Sequence, residues 1–173
     1  SVIRKEQERL ISPFRGACRN SSRIVPSFTP PRPRPKCPHA TYSVTPGFTA
    51  AREDVIDLYE SVGWSAYTSD PDSLMRSLAH SGFVMEAWQG RELVGLVRCL
   101  SDGDTILYLQ DILVRPTHHR RGIGRKLVSE AIATYPPRIR QIVLITDEEP
   151  GQRAFYESLG FTEISELPNP GRC

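Results

Sequence analysis

The sequence predicts an α/β domain in which a mixed β-sheet is flanked by helices. Three observations carry that prediction. Apolar runs over residues 83–88, 93–100, 106–114 and 142–146 have the length and composition of buried strands. Stretches ending near residues 62, 78, 135 and 159 place apolar side chains at helical spacing. The two kinds follow one another as β-α-α-β-β-β-α-β-α-β, the pattern of a sheet covered by helices.

Each element has its own justification. Residues 41–44 make a short strand. Thr49 caps a helix running to about residue 62, with Val55, Ile56, Leu58 and Tyr59 inward, and Gly63-Trp64 ends it. Ser69-Asp70-Pro71 opens a second helix whose Leu74, Met75 and Leu78 pack inward. Residues 83–88 and 93–100 pair as a hairpin across residues 89–92. Residues 106–114 form the central strand, and residues 123–135 an amphipathic helix stopped by Pro136-Pro137. Residues 142–146 are a buried strand. Pro150-Gly151 starts a last helix, Gly160 caps it, and residues 161–165 are a final strand.

Residues 1–38 are of another kind. They hold seven of the fifteen prolines and carry nine Lys/Arg against two Glu, whereas the remaining residues carry thirteen against eighteen. Such a segment buries too little apolar surface to offset its chain entropy, so it is expected as a disordered or targeting extension before a domain over 39–173. The mildly acidic domain argues against a nucleic-acid partner. No apolar run approaches the roughly 20 residues of a membrane span. Cys18, Cys37, Cys99 and Cys173 are too scattered for a metal or redox site, so no metal is expected. The default location is cytoplasmic, or an organelle if residues 1–38 are a transit peptide.

Between the central strand and its helix lies Arg120-Arg121-Gly122-Ile123-Gly124-Arg125. A helix N-terminus leaves N–H groups unpaired and carries partial positive charge. Glycines admit a ligand close to those amides, and three arginines can fork onto phosphate oxygens. The turn is therefore expected to bind a pyrophosphate. It lacks the third glycine of a dinucleotide fingerprint, where Leu127 stands, and no Walker spacing occurs.

The turn resembles motif A of the GNAT superfamily of N-acetyltransferases, Q/R-x-x-G-x-G/A after a long strand, with His119 at the first position. Residues 153–161, RAFYESLGF, resemble the last helix and strand of the same superfamily. The resemblance covers roughly residues 41–164 and implies a splayed central strand pair that binds acetyl-CoA. It implies pantetheine contacts from the main chain of Ile112, Leu113 and Val114, with the Leu113 N–H polarising the thioester carbonyl. It also implies pyrophosphate contacts from His119, Arg120, Arg121, Gly122, Ile123, Gly124 and Arg125, and protonation of the leaving thiolate by Tyr156. The acceptor would be a small-molecule amine, or a lysine or N-terminal amine, bound by a monomer or homodimer. Trp64 and Tyr67 fall where the family builds its acceptor pocket, and aromatics there suit an apolar amine. Asp111, an acid in an apolar strand, either binds or deprotonates that amine or pairs structurally, for instance with an arginine. Tyr108 and Gln110 alternate with it and are expected on the opposite side. The alternative function is a catalytically silent acyl-CoA-binding module. The family normally ends on a seventh strand paired with the sixth, which the two prolines and glycine of residues 167–173 disfavour.

Overall fold

A computed structural model describes residues 42–146 and 150–166, together with the backbone of residues 2–6. Seven strands form one sheet: β1 Val2–Glu6, β2 Ser43–Pro46, β3 Phe83–Gln89, β4 Glu92–Ser101, β5 Ile106–Val114, β6 Gln141–Ile145 and β7 Thr162–Glu163. Their spatial order is β2-β3-β4-β5-β6-β1-β7. Neighbours are antiparallel except β5 and β6, whose parallel pairing requires the helical crossover between them.

Helices α1 Arg52–Ser61, α2 Ser65–Thr68 and α3 Pro71–Ala79 precede the hairpin of β3 and β4, while α4 Ile123–Thr134 and α5 Pro150–Glu157 flank β6 in sequence. Two apolar clusters result. Ile123, Leu127, Val128 and Ala131 of α4 pack on Leu107, Leu109, Ile142 and Leu144 of the sheet, together with Tyr156 of α5. Val55, Leu58 and Tyr59 of α1 and Leu74 and Leu78 of α3 pack with Val84, Leu93, Leu96 and Leu113. The sheet is thus buried on both faces at β4 and the adjoining part of β5. Gly95 permits this: a Cβ there would lie 2.9 Å from the Leu113 carbonyl oxygen and 3.1 Å from Leu127 Cδ1.

Asp70 caps α3 as its sequence promises, accepting from the Ser73 N–H at 3.0 Å, with Pro71 in the first turn. Thr49 does not cap α1, which starts at Arg52 without a side-chain cap. Its N–H and hydroxyl donate instead to Glu86, at 2.7 and 2.8 Å. Glu86 is fully buried and also accepts from the Ala50 N–H and the Trp88 indole, so its carboxylate ties the start of α1 to the middle of β3.

Residues 2–6, which composition assigns to the extension, form a strand. β1 pairs with β6 on one side and with β7 on the other. It therefore takes the place beside the short last strand that the family gives to a C-terminal one. Residues 7–41 and the proline-rich 167–173 lie outside the described residues. The final strand is shorter than expected, because a 3-10 turn at Ile164–Glu166 follows it directly.

Candidate active site

β5 and β6 pair only from Ile106↔Gln141 to Leu109↔Leu144, yet β5 continues to Val114. Past Leu109 the two strands part, and a cleft of about 1120 Å³ opens there. It runs from Trp64 and Tyr67 past Gln110, Ile112 and Val114 to the turn at residues 118–125 and to α5.

The direction of the strand's backbone groups follows from its other edge. The Arg115 N–H donates to the Val94 carbonyl at 2.9 Å. In an antiparallel ladder alternate residues point the same way, so Leu113 also faces β4, and its carbonyl indeed lies against Gly95. Ile112 and Val114 point their main-chain groups into the cleft. This corrects the expectation for Leu113, whose N–H belongs to the ladder and is not offered to a ligand.

A bulge lies just before this stretch. Arg98 pairs with Asp111 and Cys99 with Leu109, which leaves Gln110 as the extra residue. The bulge exchanges the faces of the strand. Leu107 and Leu109 pack beneath α4, but Leu113 packs beneath α1 and α3. Asp111 follows Leu113, and Tyr108 therefore shares the face of Asp111 instead of opposing it.

The turn before α4 is concave for a backbone reason. Arg120 has φ +61° and Gly122 φ +81°, so left-handed residues stand on either side of Arg121. Such alternation turns successive N–H groups towards one point, at the N-terminus of α4. Gly122 is required by its conformation alone, since its missing Cβ would meet nothing closer than 4.0 Å. At Gly124 a bare Cβ would stand at ordinary contact distance, 3.4 Å from the Phe155 ring and 3.6 Å from Val114, so there is room for a Cβ but none for a branched side chain beyond it.

Side chains hold the turn from outside. His118 is buried, with Nε2 2.6 Å from Gln89 Oε1 and Nδ1 2.9 Å from the Thr117 hydroxyl. His119 Nε2 donates to the Val114 carbonyl at 2.8 Å. Arg115 donates to the Leu93 carbonyl at 2.8 Å and pairs with Asp57. Arg120 and Arg121 are exposed, but the Arg125 guanidinium bonds the Ser158 hydroxyl and carbonyl at 2.7 and 3.2 Å. Of the three expected arginines, Arg120 lines the cleft with no hydrogen-bond partner among the described residues, Arg125 lines it but is engaged, and Arg121 does not line it. Ile123 is buried and can offer only its main chain.

At the other end the cleft is walled by side chains. The Trp64 and Tyr67 rings stack at 5.6 Å, and Tyr59 meets both from behind at 6.0 and 5.5 Å. Tyr108 and Gln110 also line this end. Asp111 does not. It is fully buried, with Oδ2 accepting from Arg98 Nε at 2.6 Å and from the Tyr59 hydroxyl at 2.9 Å. Of the two readings open for Asp111, the structure has the paired one. Burial first, then the Asp111 charge, raises the Tyr59 hydroxyl well above its ordinary pKa, so it stays a donor. Sequence reasoning took Tyr59 for plain core and passed over Arg98. A lone cation in the apolar run of β4 opposite a lone anion in β5 was the available signal.

Tyr156 lines the same cleft on α5, packed edge-on to Phe155 at 5.0 Å and Phe161 at 6.0 Å. Burial pushes its hydroxyl up to about 12. Cys99 is buried away from the cleft, and burial pushes its thiol up to about 12 as well. Among the described residues no cluster of three or more His, Cys, Asp or Glu could hold a metal, and no helix is long and apolar enough to cross a membrane.

Comparison with known proteins agrees with this geometry. A family model described as "Acetyltransferase (GNAT) family" matches residues 48–161. A GNAT-family acetyltransferase structure from Streptococcus pneumoniae is similar with 32% identity and a TM-score of 0.66, over 77% of this chain and 96% of that one. The ribosomal-protein-S18-alanine N-acetyltransferase of Escherichia coli shares the fold at 18% identity and TM-score 0.59, over 71% of this chain and 79% of its own. A candidate acetyltransferase of Gibberella zeae is 33% identical over 88 residues, which make up 49% of this chain and only 46% of that relative.

Proposed function

Because the chain belongs to the GNAT acetyltransferase family, we propose that it transfers the acetyl group of acetyl-CoA to a primary amine by direct attack. The observation that carries this reading is the cleft itself. A strand edge without a partner strand, a concave turn of amides and the ring of Tyr156 all line one space.

The amides from Arg120 to Arg125, with the Arg120 side chain, would hold the pyrophosphate. The main chain of Ile112 and Val114 would take the pantetheine arm as a parallel partner strand would. Ile112 lies farther from the turn than Val114, so its N–H is placed to polarise the thioester carbonyl. Trp64, Tyr67 and Tyr108 would seat the acceptor. The amine nitrogen then bonds to the carbonyl carbon, the carbon–sulfur bond breaks with its electron pair leaving on sulfur, and the proton shed by the nitrogen passes to solvent water. Tyr156 would donate to that thiolate. With its pKa near 12, against about 8.5 for a thiol, a hydrogen bond is favoured over complete proton transfer. The working domain is residues 39–173 completed by β1.

A panel of amines with a free-thiol readout tests the proposal. Amine-dependent release of thiol is expected from at least one class. Binding of acetyl-CoA with no amine-dependent release across the panel would replace the enzyme by an acyl-CoA-binding module.

A further inference from the structure

The network behind the aromatic wall plays no part in the chemistry above. A carboxylate and a guanidinium buried this deeply stabilise a fold no better than apolar side chains of equal volume. Their geometry shows what they hold instead. Asp111 grips the Tyr59 hydroxyl. Tyr59 is also the residue on which α1 closes: its carbonyl accepts the Trp64 N–H at 3.0 Å, while the Gly63 N–H reaches Glu60 at 2.9 Å. Gly63 makes this closure possible with φ +80°. In such a helix end the residue two beyond the C-cap packs back on the helix's third residue from last; the C-cap is Val62, and the contact is ring on ring, Trp64 against Tyr59. Tyr67 stacks on Trp64, and Gln110 Nε2 lies 3.4 Å from both the Tyr67 hydroxyl and Asp111 Oδ1. A hydroxyl fixed at Asp111 therefore fixes the ring that backs both cleft-facing aromatics.

We propose that Tyr59, Asp111 and Arg98 are positioning residues for the acceptor, locking the Trp64–Tyr67 wall against the bulge in β5. The proposal deepens the acetyltransferase reading and rests on it, because it takes this end of the cleft for the acceptor site. Tyr59→Phe is the informative variant, since it keeps the ring and removes only the hydroxyl.

One readout needs no turnover. The sequence has two tryptophans, Trp64 and Trp88, so a Trp88→Phe background reports Trp64 alone. Adding Tyr59→Phe should at least double the acrylamide quenching constant of Trp64. The pair Arg98→Met/Asp111→Asn leaves an oxygen for the Tyr59 hydroxyl without stranding a charge, and should keep quenching near the parent value. In turnover, Tyr59→Phe should raise the acceptor KM at least threefold, with kcat and the acetyl-CoA KM changed less than twofold. Unchanged quenching overturns the proposal whatever the activity. So does a lowered Tm with an unchanged acceptor KM, which would make the network merely structural. If the parent turns over no amine while quenching still doubles on Tyr59→Phe, the wall-locking stands and the acetyltransferase reading is what fails.

Discussion

At the turn end of the cleft, the groups offered to a ligand are mostly main chain: amides aimed by the left-handed Arg120 and Gly122, and the edge of β5 at Ile112 and the Val114 N–H, the Val114 carbonyl being held by His119. At the other end they are side chains, Trp64, Tyr67 and Tyr108, backed by a buried tyrosine, carboxylate and guanidinium. A site made of backbone depends on which residues lack a Cβ and is indifferent to most others. A site made of side chains can be rewritten residue by residue on the same scaffold. One scaffold can thus keep its donor and change its acceptor.

The contrast breaks most visibly at the glycines. Gly122→Val or Gly124→Val should lower acetyl-CoA affinity by roughly a hundredfold or more, the first through backbone strain and the second because the branched γ carbons reach beyond a Cβ that already touches the Phe155 ring. Calorimetry on folded variants that shows unchanged affinity in both would remove the backbone-built donor site.

Tyr156 stands at the junction of the two ends. Tyr156→Phe should keep acetyl-CoA binding and lower turnover at least about tenfold, less than the roughly 10²–10⁴ of full general-acid catalysis because the hydroxyl acts as a hydrogen-bond donor. The raised pKa sets a pH expectation too. The hydroxyl is held near 12, above the ordinary value near 10, so its donor is present below both values. The alkaline loss it causes, in rate and in stability, should begin only as pH rises past about 10. A steep rate loss assigned to Tyr156 near pH 8 would contradict its burial.

A smaller effect separates two arginines that the sequence treats alike. Arg120 lines the cleft and has no hydrogen-bond partner among the described residues, whereas Arg125 is engaged with Ser158. Arg120→Ala should weaken acetyl-CoA binding up to about fivefold, the scale of one exposed ion pair, and Arg125→Ala less than about twofold by the same scale. Equal losses would mean that the Ser158 contact gives way when ligand binds. The smallest effect expected is at Cys99. With the thiol near 12, about one in ten thousand is ionised at pH 8, so alkylating reagents should leave activity intact. Trapping an acetyl-cysteine there would overturn direct attack.

The donor end was the legible part. Two glycines opening a helix after an apolar strand state their geometry locally, and the central strand matches its observed bounds at Ile106–Val114. The acceptor end depends on contacts between distant residues, and there the sequence misled. Asp111 keeps two readings in the sequence, acceptor contact or pairing with an arginine, because the partner that decides between them, Arg98, lies on another strand. Tyr108 is expected opposite Asp111 because a bulge cannot be seen in an alternating run, and at the donor end the resemblance offers Leu113 as the polarising amide because nothing local tells which main-chain groups the β4 ladder takes. Thr49 looked like a cap because Glu86, which captures it, is far away in sequence.

β1 carries a consequence for how the molecule forms. Its partner β6 reaches it with nearly the whole chain in between, Val2 lying opposite Ile145. Pairings of that sequence separation incur loop-closure entropy before any contact compensates, which makes them late events in folding. During synthesis β1 emerges ahead of both strands that will enclose it and has neither partner until they follow. The last steps of assembly should therefore be slow, and β6 and β7 should stay open to pairing with a strand from another molecule for longest.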